Sequence, residues 1–71
     1  MTAYDKDTKV QWNWGDGTGT GIIKTVYTEK VTRKIKGSEV TRDASESEPA
    51  YYIEQDDGDN VLKSHSELKK A

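Results

Sequence analysis

There is no cysteine among the 71 residues, so no disulfide can staple the fold and no thiolate zinc site can form. A single histidine excludes a His-rich metal site. Proline occurs once, at Pro49. No apolar run approaches the roughly 20 residues that a membrane-spanning helix needs. The opening stretch "MTAYDKDTK" is polar and lacks the apolar centre of a secretory signal. The expectation is a cytoplasmic protein without membrane contact. No long segment repeats its apolar residues at the 3.6 spacing of an amphipathic helix, which argues against an all-α fold.

Apolar side chains are scarce too, at 31 % against 34 % charged. That composition approaches the range in which chains stay disordered. Two tryptophans and four tyrosines offset it, because each ring carries a large apolar area. A domain this short buries only about 60 % of its chain surface. Its core must therefore be well packed, or it gains from self-association. The formal net charge is −2 and the pI near 5.3, but the charges are segregated. Lys30, Arg33, Lys34, Lys36 and Arg42 form a basic stretch. Asp43, Glu46, Glu48, Glu54, Asp56, Asp57 and Asp59 form an acidic one.

What is present reads as short strands. "KVQWNW" alternates, with Val10, Trp12 and Trp14 on one face and Gln11 and Asn13 on the other. "GDGTGTG" then reads as a long, flexible hairpin loop, and "IIKTVY" as the returning strand. "KVTRKIKGSEV" suits an exposed hairpin or an extended arm turning at Gly37. "DASESEP" is a polar loop closed by Pro49, and "AYYIEQ" a strand with Tyr51 and Ile53 on one face and Tyr52 and Glu54 on the other. "DDGDN" is a turn and "VLKS" a short last strand. In "SHSELKK", Ser64 and Glu67 have capping-box spacing. Leu68 would anchor that helical turn, and Lys69 and Lys70 would suit its C-terminus. The sum is an all-β fold, a small barrel.

Chemical motifs fail on spacing. A dinucleotide loop needs Gly-x-Gly-x-x-Gly before a helix. Starting from Gly15, Gly17 or Gly19, the third position holds Thr20, Ile22 or Lys24. No glycine pair has the P-loop spacing with a following lysine, and a strand follows the glycines, so no helix N-terminus awaits a phosphate. Counting from Asp56, the calcium-loop pattern meets Gly58 and Val61 where acids or a glycine belong. His65 lacks a nucleophile and an orienting partner in sequence; Ser64 and Ser66 read as turn residues. No catalytic residue, metal site or cofactor is expected, and the chain is read as a non-enzyme.

The ordered set "KVQWNW…GTGI", "KIKGSEV", "ASESEPAYYIE" and "DGDNVLKSHSEL" resembles the hypervirulence-associated protein Tudor-like domain family. Val10, Trp12, Gly21, Ile23, Ile35, Gly37, Ala44, Ser45, Pro49, Tyr51, Ile53, Gly58 and Leu68 follow that family's pattern over about residues 4–69. Asp7 departs from it, where the family has a glycine, and so does Trp14, where a small polar residue is usual. The resemblance implies an SH3-like, Tudor-type barrel of about five antiparallel strands with a short C-terminal helical turn. One domain over residues 1–71, with its core at about 8–69, is expected. Trp12 and Tyr51 fall on family core positions and are assigned to the interior. Tudor-type barrels often gather rings at one rim, where converging aromatics attract an ammonium group. Trp14, Tyr27 and Tyr52 are the candidate rim here. The expected function is a non-enzymatic interaction module for a protein partner. The alternatives are nucleic-acid binding through Lys30, Arg33, Lys34, Lys36 and Arg42, and structural self-association.

Overall fold

The alternating stretch near the start is a strand because its odd and even residues sort cleanly. β1 (Lys9–Trp14) buries Val10 and Trp12 on one face. It is followed by β2 (Gly17–Tyr27), β3 (Val31–Ile35), β4 (Ser38–Arg42), β5 (Ala50–Gln55), β6 (Asn60–Ser64) and β7 (Lys69–Lys70). These come from a computed structural model that describes residues 3–71. All pairings are antiparallel. One sheet has the order β6-β5-β2-β1-β7, and β3 and β4 form a separate two-stranded sheet lying against β6. The all-β reading holds, with seven strands in place of about five.

The glycine-rich stretch is not a long loop. Trp14 pairs with Gly17, which leaves Gly15 and Asp16 as a two-residue turn. Gly15 takes the positive φ (50°) and Asp16 does not, the distribution of a type II′ hairpin turn. Gly17, Gly19 and Gly21 run on inside β2. Two of them are there for space. A β-carbon on Gly19 would lie 2.6 Å from Trp12 Cε2. One on Gly21 would lie 2.6 Å from Ile53 Cγ2 and 2.7 Å from the Glu54 carbonyl oxygen. The β1 and β5 neighbours can close on β2 only because these positions lack side chains.

The core is small and centred on Tyr51, which is 0 % exposed. Val10, Trp12, Ile23, Ile53 and Leu68 surround it, and Ala50 and Leu62 are buried nearby. Pro49 enters β5 fully buried, and its carbonyl accepts the His65 amide (2.8 Å). The register between β2 and β5 slips between Ile23 and Thr25, a bulge at Lys24. Before the slip, Gly19, Gly21 and Ile23 point inward; after it, Val26 does. The bulge therefore moves Tyr27 to the outer face.

The expected short helical turn near the C-terminus is present, but the two lysines after it differ from expectation. His65–Glu67 is a single 3₁₀ turn, and Leu68 drops into the core behind it. Lys69 and Lys70 are not a helix C-terminus; they form β7 and pair with Gln11 and Val10. Leu68 explains the change, since burying it turns the backbone back alongside β1.

Two non-glycine residues carry positive φ, Asp7 (74°) and Lys36 (51°). Asp7 is where the resembled family has glycine, and aspartate tolerates this region. Lys36 precedes Gly37 (80°) in the β3–β4 turn, giving positive φ at both central positions, as in a type I′ turn. Asparagine is the favoured first residue there. Lys36→Asn is expected to raise Tm by a few degrees in a thermal melt, although it gives up the exposed contact from Lys36 Nζ to Asp59 Oδ2 (2.7 Å). A lower Tm would mean that the ion pair outweighs the backbone strain.

Candidate functional site

The three candidate rim aromatics do not converge. Trp14 ends β1 beside the Gly15–Asp16 turn, opposite Gly17 at the start of β2. Tyr27 stands at the other end of the same eleven-residue strand. Trp14 is 63 % exposed, because β1 runs on past the core that covers Trp12. Tyr27 and Tyr52, by contrast, are brought together. The bulge places them as diagonal neighbours on the outer face, with Tyr52 opposite Thr25 and Tyr27 opposite Ala50.

That pair already holds a cation. The Arg33 guanidinium lies 4.0 Å from the Tyr52 ring centroid, and its Nη1 donates to the Tyr27 hydroxyl (2.6 Å). The Tyr27 hydrogen bond is the main cause that raises the Arg33 pKa above its ordinary value, working against burial. Arg33 reaches inward because alternate residues of β3 (Val31, Arg33, Ile35) face the barrel.

The basic stretch is likewise divided. Lys36 pairs with Asp59, and that hydrogen bond raises its pKa. Arg42 Nε donates to Glu67 Oε1 (3.1 Å). Lys30 and Lys34 are exposed and form no ion pair among the described residues. Three of the five cations thus fasten the hairpin to the barrel, and the five do not make one patch for a phosphate backbone.

His65 is engaged with the core. The Tyr4 amide can only donate, and it donates to the Tyr51 hydroxyl (3.0 Å). The same hydroxyl shares a hydrogen bond with His65 Nδ1 (2.8 Å). Burial pushes the Tyr51 phenol above its ordinary pKa, which keeps the hydroxyl protonated. The acidic turn is closed internally by the Asp59 amide on Asp57 Oδ1 (3.0 Å) and the Gln55 amide on the Asp59 carbonyl (2.7 Å). Among the described residues, no three His, Cys, Asp or Glu side chains are placed to hold a metal ion.

One feature escaped the sequence reading. A cleft of about 370 Å³ lies along β1, between Thr18 of β2 and the 3₁₀ turn with its exit. Gln11 and Asn13 line it from the strand, and Ser66, Leu68 and Lys69 from the 3₁₀ turn and its exit. The alternation of β1 does place Gln11 and Asn13 on a polar face. Nothing in the sequence signals that β7 stops after covering only part of β1.

Glu67 joins three elements at the wall of this cleft. Its Oε1 accepts the Ser64 amide (2.7 Å) and Arg42, and its Oε2 lies 3.8 Å from Lys63 Nζ. Burial pushes this carboxyl up, but the Ser64 amide, Arg42 and Lys63 outweigh it and hold it below the ordinary 4.5. A depressed carboxyl stabilises the fold fully above its unfolded pKa and loses that effect as pH falls through the folded one. Glu67→Gln is therefore expected to lower Tm at neutral pH, with the gap to wild type closing as pH drops below about 4.5. Melts across an acid series check this, and a gap independent of pH would contradict it.

Residues 7–68 match the family model described as Hypervirulence associated proteins TUDOR domain. No curated protein and no solved structure gives a significant match to the chain.

Proposed function

Because the chain belongs to the Hypervirulence associated proteins TUDOR domain family, we propose that it is a non-enzymatic binding module that takes a protein segment at Trp14. The observation that carries this is the exposure of Trp14, the one large apolar side chain left open among the described residues. It lies outside the buried core cluster, and tryptophan is among the side chains enriched at the energetic anchors of protein interfaces. Tyr27 and Tyr52 form a second aromatic surface whose cation is Arg33, so they do not extend the Trp14 site. A cytoplasmic location belongs to the same proposal; no helix of the described residues is long and apolar enough to cross a membrane.

The test is an amide and indole NMR spectrum titrated separately with extended peptides, methylated-lysine peptides, and short DNA and RNA. The Trp14 indole N–H is expected to move with peptide while that of Trp12 stays still. Trp14→Ala is expected to change stability by no more than about 0.5 kcal/mol and to abolish those shifts. Shifts at Lys30 and Lys34 with nucleic acid alone would favour nucleic-acid binding. Shifts that follow protein concentration alone would favour self-association.

A further inference from the structure

We infer that the open edge of β1 accepts an extended acidic peptide segment as an additional strand, in line with β7. This rests on the reading of Trp14 as a protein-binding anchor and names the partner's chemistry.

The geometry follows from strand parity. The Ala71 amide donates to the Lys9 carbonyl (3.0 Å), so the backbone of Lys9 faces the β7 side. Backbone groups alternate along a strand, so Gln11 and Asn13 face the same way, and Val10, Trp12 and Trp14 face β2. β7 pairs only with Val10 and Gln11. Leu68 is still extended, and the line is broken by the 3₁₀ turn that ends at Glu67, level with Asn13. The Asn13 N–H and C=O are left aimed at the cleft with no ladder partner. A single opposing residue satisfies both only if its strand runs antiparallel, as β7 does.

The side chains set the composition of the segment. The residue opposite Asn13 shares its polar face with Lys69 and Lys9, and neither lysine forms an ion pair among the described residues. An acidic side chain fits there. Glu67, the one acid on the cleft wall, is already held by the Ser64 amide, Arg42 and Lys63. The next residue of the segment faces the opposite way, beside the Trp14 indole, and an apolar side chain fits there. The segment alternates acidic and apolar residues. Backbone bonds at a sheet edge supply affinity, and alternate side chains supply selectivity.

The probe is an acetylated, amidated hexapeptide of alternating glutamate and isoleucine, compared with the same peptide carrying lysine for glutamate. With the glutamate peptide, the Asn13 amide is expected to shift and its hydrogen exchange to slow at least tenfold. The lysine peptide is expected to bind at least tenfold more weakly, and Lys69→Glu to reverse that preference. Asn13→Pro removes only an outward N–H, which an edge strand tolerates, and is expected to weaken binding tenfold. Should that variant melt far below wild type, Lys69→Glu carries the test. Trp14 shifts without Asn13 protection would overturn strand addition and leave the binding module standing. No shift at either residue would overturn both. Asn13 protection that grows with protein concentration alone would give the edge to a second copy and overturn the acidic segment.

Discussion

Gly21→Ala is expected to unfold the protein or leave it barely folded at room temperature. The added methyl would lie 2.7 Å from the Glu54 carbonyl oxygen and 3.1 Å from the Glu54 carbonyl carbon, both backbone atoms. A side chain can swing aside, but a paired strand cannot move without breaking its ladder. Gly21 pairs with Val10 on one side and Gln55 on the other, so relief toward β1 is closed as well. Overpacking costs typically about 1–3 kcal/mol, and a backbone obstacle belongs at or above the top of that range. At roughly 0.05–0.15 kcal/mol per residue, a chain of this length has on the order of 4–10 kcal/mol in total. Gly17→Ala is the control, since its β-carbon meets nothing nearer than the Trp14 carbonyl at 3.9 Å. It is expected to leave Tm within a few degrees of wild type. Equal losses in thermal melts of the two variants would remove the steric account.

Trp12→Ala is expected to be nearly as damaging, at about 3–5 kcal/mol for a buried tryptophan. The ring is 4 % exposed, lies over Gly19, and has the Lys63 ammonium 5.9 Å from its centroid on β6. A second measurement separates lost packing from lost fit. All three nearest atoms to a β-carbon on Gly19 belong to the Trp12 indole, at 2.6–2.8 Å. Gly19→Ala alone is expected to cost about 2–3 kcal/mol, because the ring is walled in. In a Trp12→Leu background its cost is expected to fall below about 1 kcal/mol, since the obstacle is gone. Denaturant melts of the four proteins in that double-mutant cycle give the coupling directly. Additive losses would mean that Gly19 is constrained by something other than the indole.

These two glycines also show where sequence reading stops. The family resemblance placed Trp12 and Tyr51 inward, alternation set Tyr52 on the face opposite Tyr51, and the later turns were legible from their Gly, Asp and Asn residues. Gly19 and Gly21 looked like loop residues because local preference marks glycine as a breaker. They are strand residues because of atoms on β1 and β5 that no local window contains. β7 was missed because two residues carry no period, and Leu68 was the only hint that the backbone turns there. The exposure of Trp14 was legible from its position at a hairpin turn. Its separation from Tyr27 was not, because the glycine misreading made β2 look half its length. The bulge at Lys24 and the capture of Arg33 by Tyr27 and Tyr52 are tertiary facts.

The β3–β4 hairpin shares no sheet with the rest of the barrel. It is fastened by Arg33 on two tyrosines, Lys36 on Asp59 and Arg42 on Glu67. Two of these three fastenings are exposed ion pairs, and the screening length shrinks from about 10 Å at 0.1 M salt to about 3 Å at 1 M. The molecule therefore has two tiers of stability that respond to different conditions. The five-stranded sheet is held by burial, which added sodium chloride hardly alters. The hairpin, which also packs through half-buried Val31, Ile35 and Val40, is expected to open as one piece more readily as salt rises, while the sheet beneath it stays shut.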